Sequence, residues 1–186
     1  MVGDKLEFLE DKTMQKIYSF IKSFLENSED VDTFIESGAI IWIDWREYDE
    51  DIISFVNEKI EDKVEVEHIF NNKPYGDDIC LKYKNKSLII PYEEKMDRDT
   101  TIKYLNEFIK PKYEIRFCME SLGNDTLAFC LLEENLWNEL EKKFGLEKVR
   151  FYFEKIDVKS NMFNLDVDTV FKLIDERNKT SIVEKN

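Results

Sequence analysis

The chain of 186 residues is 42% hydrophobic and 13% aromatic with a net charge of −14, which suits one domain with a real core and excludes a disordered or low-complexity chain. Its apolar runs are far shorter than the roughly 20 residues of a membrane span, and the N-terminal segment MVGDKLEFLEDK lacks the pattern of a secretory signal. We therefore expect a cytoplasmic protein that does not bind a membrane. The excess negative charge would repel phosphates, so we also expect no binding to nucleic acid.

The first half of the chain alternates between helical and strand patterns. Apolar spacings predict an amphipathic helix over 11–27, a short helical turn over 32–36, and a helix ending near Lys59 with acids 49–51 in its first turn. The run AIIWI predicts a strand over 39–43, and alternation predicts an edge strand over 64–70. Pro and Gly indicate a turn over 71–77.

The second half begins with a hairpin of strands over 79–83 and 88–92, in which Asn85 is expected to take a positive φ. A helix follows over 97–110, capped by Asp99 or Thr100 and stopped by Pro111. Helices are predicted over 133–144, with Gly145 as a left-handed cap, and over 166–178. Between those two helices, alternation predicts a strand over 148–156 and then a linker over 157–164, and residues 179–186 are expected to fray.

Two strands over 113–120 and 126–132, joined by a turn, form the predicted centre of the fold. The second strand is apolar on both faces, which is typical of a strand covered on both sides of its sheet. We therefore predict an α+β fold: a single globular domain over 1–156, with a mixed or mainly antiparallel sheet of about six or seven strands and helices packed on it. Cys80, Cys118 and Cys130 fall within predicted strands and are expected to be reduced core thiols.

Residue types that carry catalysis are scarce. The one histidine, His68, alternates with apolar residues, is expected to pack against the core or at its edge, and has no paired nucleophile. Zinc-ligand spacings and glycine-rich phosphate loops are missing. Asp44 and Glu47 with Asp77 or Asp78 offer a candidate cluster for a divalent cation, although 41 acidic residues produce such clusters by chance. We predict no catalytic residues and no cofactor.

Negative charge is concentrated toward the N-terminus. Residues 1–78 contain 21 acidic and 8 basic residues, whereas residues 79–186 contain 20 and 19. This asymmetry suits a basic protein partner steered by electrostatics, with solubility as the alternative explanation of the charge. The candidate partner-binding surface is the aromatic and acidic segment after the first strand, because Trp and Tyr within charged rims recur at binding hot spots. It comprises Asp44, Trp45, Glu47, Tyr48, Asp49, Glu50 and Asp51.

Two further sets of residues bear on this surface. If Trp42 faces the core, strand alternation places Trp45 on the opposite side. The turn residues Ser121, Asn124 and Asp125 either line a binding surface or serve the turn alone.

Four stretches of the sequence resemble small acidic bacterial proteins. They are IDWRE after the first strand, LIIPY at the end of the hairpin, MDRDTT at a helix start, and RFCMESLGNDTLAF in the central pair of strands. They lie within residues 40–156 and are similar to immunity proteins of polymorphic and contact-dependent toxin systems. The resemblance implies an acidic protein that blocks a toxin, and it assigns no individual site residue.

The leading functional hypothesis is a non-enzymatic cytoplasmic binding protein, an immunity protein that neutralises a basic toxin domain. A carboxylate-dependent hydrolase, with or without a cation, is the first alternative. A structural or assembly subunit, docking through residues 157–178 on a partner or a second copy, is the other alternative. The sequence leaves the oligomeric state open.

Overall fold

The computed structural model describes the backbone of residues 3–184 and the side chains of residues 12–180. Within these residues, seven α-helices and seven β-strands form the predicted α+β fold. The helices are α1 (Gly3–Glu26), α2 (Val31–Glu36), α3 (Asp49–Lys59), α4 (Arg98–Ile109), α5 (Glu134–Phe144), α6 (Leu146–Tyr152) and α7 (Val167–Glu184). The strands are β1 (Ile40–Asp44), β2 (Glu65–Lys73), β3 (Gly76–Tyr83), β4 (Lys86–Ile89), β5 (Tyr113–Cys118), β6 (Thr126–Glu133) and β7 (Phe153–Lys155).

Four strands form an antiparallel sheet in the order β1-β6-β5-β7. The predicted central pair, β5 and β6, occupies its middle, and every residue of β5 is buried. On one face, Phe24 of α1 and Trp137 of α5 pack on Phe153, with ring centroids 5.9 and 5.5 Å apart. On the other face, Phe163 from the loop after β7 stacks on Phe129 at 5.9 Å. Cover on both faces explains why β6 is apolar on both.

The remaining strands form a second antiparallel sheet in the order β2-β3-β4, where the sequence predicted a single sheet. Its central strand β3 has Ile79 and Leu81 fully buried. Tyr83 at the end of β3 approaches Phe108 of α4, with ring centroids 6.3 Å apart. Because α4 also packs on β5, this helix joins the two sheets into one domain.

β2 is longer than predicted, and the turn after it is shorter. β2 is the edge strand that alternation predicted, but His68 and Phe70 are exposed, so His68 does not pack against the core. Both strands of the hairpin continue into the expected turn over 71–77, which shrinks to residues 74–75. A register shift after Phe70, with Asn72 at a φ of 58°, accommodates the extra strand length.

Turn and cap residues differ from prediction at two points. In the β3–β4 hairpin, Lys84 and not Asn85 takes the positive φ, at 53°. Asp97, rather than Asp99 or Thr100, caps α4, because its carboxylate accepts the Thr100 backbone N–H at 2.8 Å. Asp99 is buried and bonds to the loop before α7 instead.

The predicted strand over 148–156 is wrong in its first part. Gly145, with φ 89° and ψ 142°, has a positive φ but not the left-handed cap conformation, and it leads directly into α6. Only Phe153–Lys155 is strand. Val149 and Phe153 are both fully buried four positions apart, while Phe151 between them is half-buried. Val149 is therefore buried from the helix α6 and Phe153 from the strand β7, and the alternation does not belong to one strand.

Both ends of the chain are more helical than predicted. α1 begins at Gly3, ahead of the expected start at residue 11, and α7 runs to Glu184, past the predicted end at 178 and into the tail expected to fray. Residues 1–2 of the segment tested for a secretory signal, and residues 185–186 of the predicted tail, lie outside the described residues. No helix within residues 3–184 is long and apolar enough to cross a membrane.

Candidate functional site

The candidate site is built where β1 ends. Ile41 and Ile43 are buried, and Trp42 is partly exposed on the opposite face of the strand, so Trp42 does not face the core. Trp45 lies just past the strand end, and its backbone N–H donates to the Asp125 carbonyl at 3.2 Å. This bond holds the segment after β1 beside the turn that leads into β6.

The Trp45 indole is 57% exposed. The Arg46 guanidinium lies 5.7 Å from the centre of that ring and donates to both carboxylate oxygens of Asp44, at 3.0 and 3.2 Å. These side-chain bonds, with one from the Arg46 backbone N–H, lower the pKa of Asp44 to about 2. Asp44 is therefore ionised at neutral pH, but its charge is compensated within the chain.

The other predicted partner-binding residues divide between solvent and local structure. Tyr48 and Glu50 are exposed, and Glu47 is half-buried. The Asp51 carboxylate accepts the Tyr48 backbone N–H at 3.0 Å, which stabilises the start of α3. Asp49 turns inward and accepts a hydrogen bond from a threonine hydroxyl of α4. Trp45, Tyr48 and Glu50 are thus exposed to solvent. Asp44, Asp49 and Asp51 instead form hydrogen bonds that hold the segment between β1 and α3 in place.

A groove of about 320 Å³ opens beside Trp45, between the turn at residues 123–125 and the first half of α7. Its floor is apolar and is formed by Leu127, Met162 and Phe163. Phe171, which is 63% exposed, lines it from α7. A concave apolar surface of this volume with a few polar groups is typical of ligand and peptide sites. We call this surface the Trp45 groove.

Two contacts fix α7 as one side of the Trp45 groove. A side chain at Gly123 would meet Val170 Cγ1 at 2.8 Å, and Gly123 has a φ of +86°, so both the close approach and the backbone require glycine. Farther along the helix, Arg177 donates to the Glu120 carboxylate at 2.6 Å and lies 4.3 Å from the centre of the Phe151 ring.

A buried carboxylate fixes the floor of the Trp45 groove. Asp99 of α4 is 2% exposed and accepts the backbone N–H groups of Met162 at 2.8 Å, Phe163 at 3.1 Å and Asn164 at 3.1 Å. The Asn164 side-chain amide donates to it as well, at 3.0 Å. Charge-assisted bonds of this kind are strong. The loop over 157–164, predicted as a linker, is therefore fastened to α4.

The Trp45 groove unites residues that the sequence assigned to separate surfaces. Trp45 comes from the candidate partner-binding segment, Asn124 and Asp125 from the central turn, and Phe171 from the C-terminal helix. Ser121 is not part of it: the residue is buried, and its hydroxyl donates to one backbone carbonyl and accepts one backbone N–H, each at 2.8 Å.

Met162 and Phe163 are site residues that the sequence reading missed, because they lie in the predicted linker. Two adjacent large apolar residues within a polar loop were the available indication that the loop packs against something. Phe171 lies in the predicted helix over 166–178, but helical spacing does not show whether its side of the helix is covered.

Within the described residues, the candidate cation cluster is not brought together. His68 is exposed. Asp44 and Asp78, from the candidate cation cluster, are each hydrogen-bonded within the protein, and no group of three His, Cys, Asp or Glu in the described part of the chain is placed to hold a metal ion. The cysteines are free and buried, and desolvation raises the pKa of the Cys118 thiol to about 12. A cysteine nucleophile at neutral pH is therefore disfavoured.

The acidic residues of positions 12–78, whose side chains the structure describes, do not form one face. α1 and α2 lie on the face of the four-stranded sheet that carries Phe153, where Phe24 stacks on Phe34 at 4.5 Å. α3 packs instead with α4, on the other face. The described part of this charge excess is therefore distributed over both faces of the sheet, and only some of it adjoins the Trp45 groove.

Asp49 provides a test of the inward orientation. Burial, which outweighs the hydrogen bond from Thr101, raises the pKa of Asp49. Since its pKa in the folded state lies above the unfolded value of 3.8, the charged form disfavours folding at neutral pH, and this penalty vanishes below the unfolded pKa. Asp49→Asn keeps an acceptor for Thr101 and removes the charge. We expect it to raise the free energy of unfolding at neutral pH and to leave it unchanged at about pH 3.

Urea denaturation of the wild type and the Asp49→Asn variant at the two pH values measures this difference. Asp51→Asn is the matched control, because it removes a charge from the same helical turn at a residue that caps the helix, and we expect no gain from it. An Asp49→Asn variant that is no more stable than the wild type at neutral pH would contradict the inward, desolvated placement.

Comparisons with protein-family models, curated proteins and solved structures find no match, so the site is assigned on its own geometry.

Proposed function

We propose that this chain is a non-enzymatic cytoplasmic binding protein, an immunity protein that neutralises a basic toxin domain by docking it at the Trp45 groove. The observation that carries the proposal is that Trp45 and Phe171, two exposed aromatic side chains from distant parts of the chain, line one apolar groove. Exposed apolar side chains around a concave surface are typical of interaction sites, and Trp is enriched among residues that dominate binding energy.

The charge near the Trp45 groove favours a cationic partner. Asp125 lines the groove, Glu47 lies near Trp45, and the exposed Asp166 and Asp168 flank the start of α7. A positively charged surface is attracted to such a rim and oriented over it. A second copy of a chain with a net charge of −14 is repelled.

An assembly subunit is the second candidate, because the exposed Val167 and Phe171 on α7 also suit association between copies of the chain. The two proposals differ in the oligomeric state of the free protein. Light scattering should find a monomer if the Trp45 groove serves a toxin domain. A stable dimer that Phe171→Glu dissociates would favour the assembly subunit instead.

Trp45→Ala should weaken binding to a cognate basic toxin domain by about 2 kcal/mol, or roughly 30-fold in Kd. The truncation removes the exposed indole and the apolar area that a partner would cover in the complex. Calorimetric titration of the toxin domain with each variant measures the change in affinity.

Phe70→Ala is the matched control, because Phe70 is another exposed aromatic residue and does not line the Trp45 groove. We expect near wild-type affinity for this variant.

Reversing Glu47 and Glu50 to lysine should mainly slow association with the toxin domain. Asp49 is not changed in this variant, because it bonds to α4. Unchanged affinity of Trp45→Ala would remove the Trp45 groove from the interface.

A further inference from the structure

We propose that the Trp45 groove receives an arginine side chain of the partner, with the guanidinium at Asp125 beside the indole and the methylene stem on the apolar floor. This inference rests on the proposed function and names the chemical group that the groove recognises.

The described part of the chain joins an arginine, an aromatic ring and a carboxylate at three places. Arg46 lies over Trp45 and pairs with Asp44, Arg116 lies over Trp137 and pairs with Glu114, and Arg177 lies over Phe151 and pairs with Glu120. In each set the ring attracts the flat cation and the carboxylate fixes its position, an arrangement that suits guanidinium better than ammonium.

At the Trp45 groove the ring already carries Arg46, and the groove adds a second carboxylate, Asp125, beside the same ring. Its lining, drawn from the described residues, includes Trp45, Phe171 and Asp125 but no Lys or Arg. Asp125 is exposed and attracts Arg46 electrostatically, but the Arg46 guanidinium donates its hydrogen bonds to Asp44. The Asp125 carboxylate is therefore open to a cation from outside the chain.

The floor suits the stem of an arginine. Leu127, Met162 and Phe163 provide apolar surface in a groove of about 320 Å³. Arginine buries its three methylene groups on such a surface while its charged end stays at the rim. A neutral apolar side chain would fill the same floor but would desolvate Asp125 without pairing it.

The Trp45 indole N–H resonance reports on this site directly. The chain has 3 Trp, so its NMR spectrum contains a small set of indole resonances, and Trp45→Phe assigns the one from the groove. Titration with N-acetyl-arginine amide should shift this resonance, whereas N-acetyl-citrulline amide, its uncharged isostere, should not. Asp125→Asn should weaken binding of the arginine probe roughly 5–10-fold. Asp168→Asn removes an exposed acidic residue that does not line the Trp45 groove, so it should leave the affinity for the arginine probe unchanged.

Equal shifts with the citrulline probe, or an arginine titration that Asp125→Asn does not alter, would overturn the arginine inference. The proposed function is tested separately, since Trp45→Ala would still weaken toxin binding if the groove accepted an apolar side chain. Conversely, an arginine probe that binds in an Asp125-dependent way, with toxin affinity unaffected by Trp45→Ala, would support the arginine site and contradict its use in toxin binding.

Discussion

Arg116→Met should lower the free energy of unfolding by about 3–5 kcal/mol, the range for breaking a buried ion pair. Arg116 is fully buried in the central strand β5. Its guanidinium donates to the Glu114 carboxylate at 2.7 and 3.0 Å and lies 4.3 Å from the centre of the Trp137 ring. Methionine fills similar space but leaves the buried Glu114 carboxylate without its cation.

A second carboxylate adds to this effect. Glu141 of α5 approaches Arg116 Nη1 at 2.8 Å, as an ion pair without the alignment of a hydrogen bond. Burial acts to raise the pKa of Glu141, but the adjacent positive charges of Arg116 and Lys155 outweigh it and lower the pKa. Loss of Arg116 therefore removes part of what keeps α5 bound to β5.

Lys82→Met is the matched control for Arg116→Met. Lys82 pairs with Glu67 at 2.8 Å across two strands of the other sheet, but both side chains are about half exposed. Solvent-exposed pairs contribute about 0–1 kcal/mol, so we expect a small change in urea denaturation. Similar losses of unfolding free energy for the two variants would contradict the account of a buried network. The double variant Arg116→Met with Glu114→Gln should recover part of the stability lost in Arg116→Met, because it removes the unpaired carboxylate.

Asp99→Ala should lower the free energy of unfolding by about 3 kcal/mol, because it leaves several N–H groups of the loop before α7 without their acceptor. The carboxylate is buried and receives donors from Met162, Phe163 and Asn164. Since Met162 and Phe163 form the floor of the Trp45 groove, the variant should also weaken binding of the toxin domain. Urea denaturation and calorimetric titration measure the two effects.

Asp97→Ala controls for the loss of a carboxylate from the same turn of α4. Asp97 caps the helix through one hydrogen bond to Thr100, so we expect a cost of about 1 kcal/mol and unchanged toxin binding. If Asp97→Ala proves as costly as Asp99→Ala, the loop does not depend on Asp99 in the way that the hydrogen bonds indicate.

Long stretches with one hydrophobic period could be predicted from the sequence. The helix over Asp49–Lys59 and the strands β5 and β6 follow their predictions closely, because their apolar residues repeat consistently over several turns or pairs. The prediction for 148–156 was wrong in its first part, because alternating apolar residues suggest a strand where residues 146–152 form α6 with Val149 buried.

Buried charges mark the limit of sequence reasoning. Alternation places Arg116 on the polar side of its strand, and nothing local shows that α5 covers that side with Trp137 and Glu141. Asp99 has the spacing of a helix cap, yet it binds a loop far away in sequence. The Trp45 groove could not be predicted either, because Trp45 and Phe171 come together only through the packing of α7 on the sheet.

Hydrogen–deuterium exchange of the chain with and without its toxin domain tests the docking site most directly. The proposal predicts that complex formation slows exchange at the residues after β1, at the turn over 123–125 and along the first half of α7. Protection confined to other surfaces, such as β2 to β4, with the Trp45 groove exchanging as in the free protein, would contradict it.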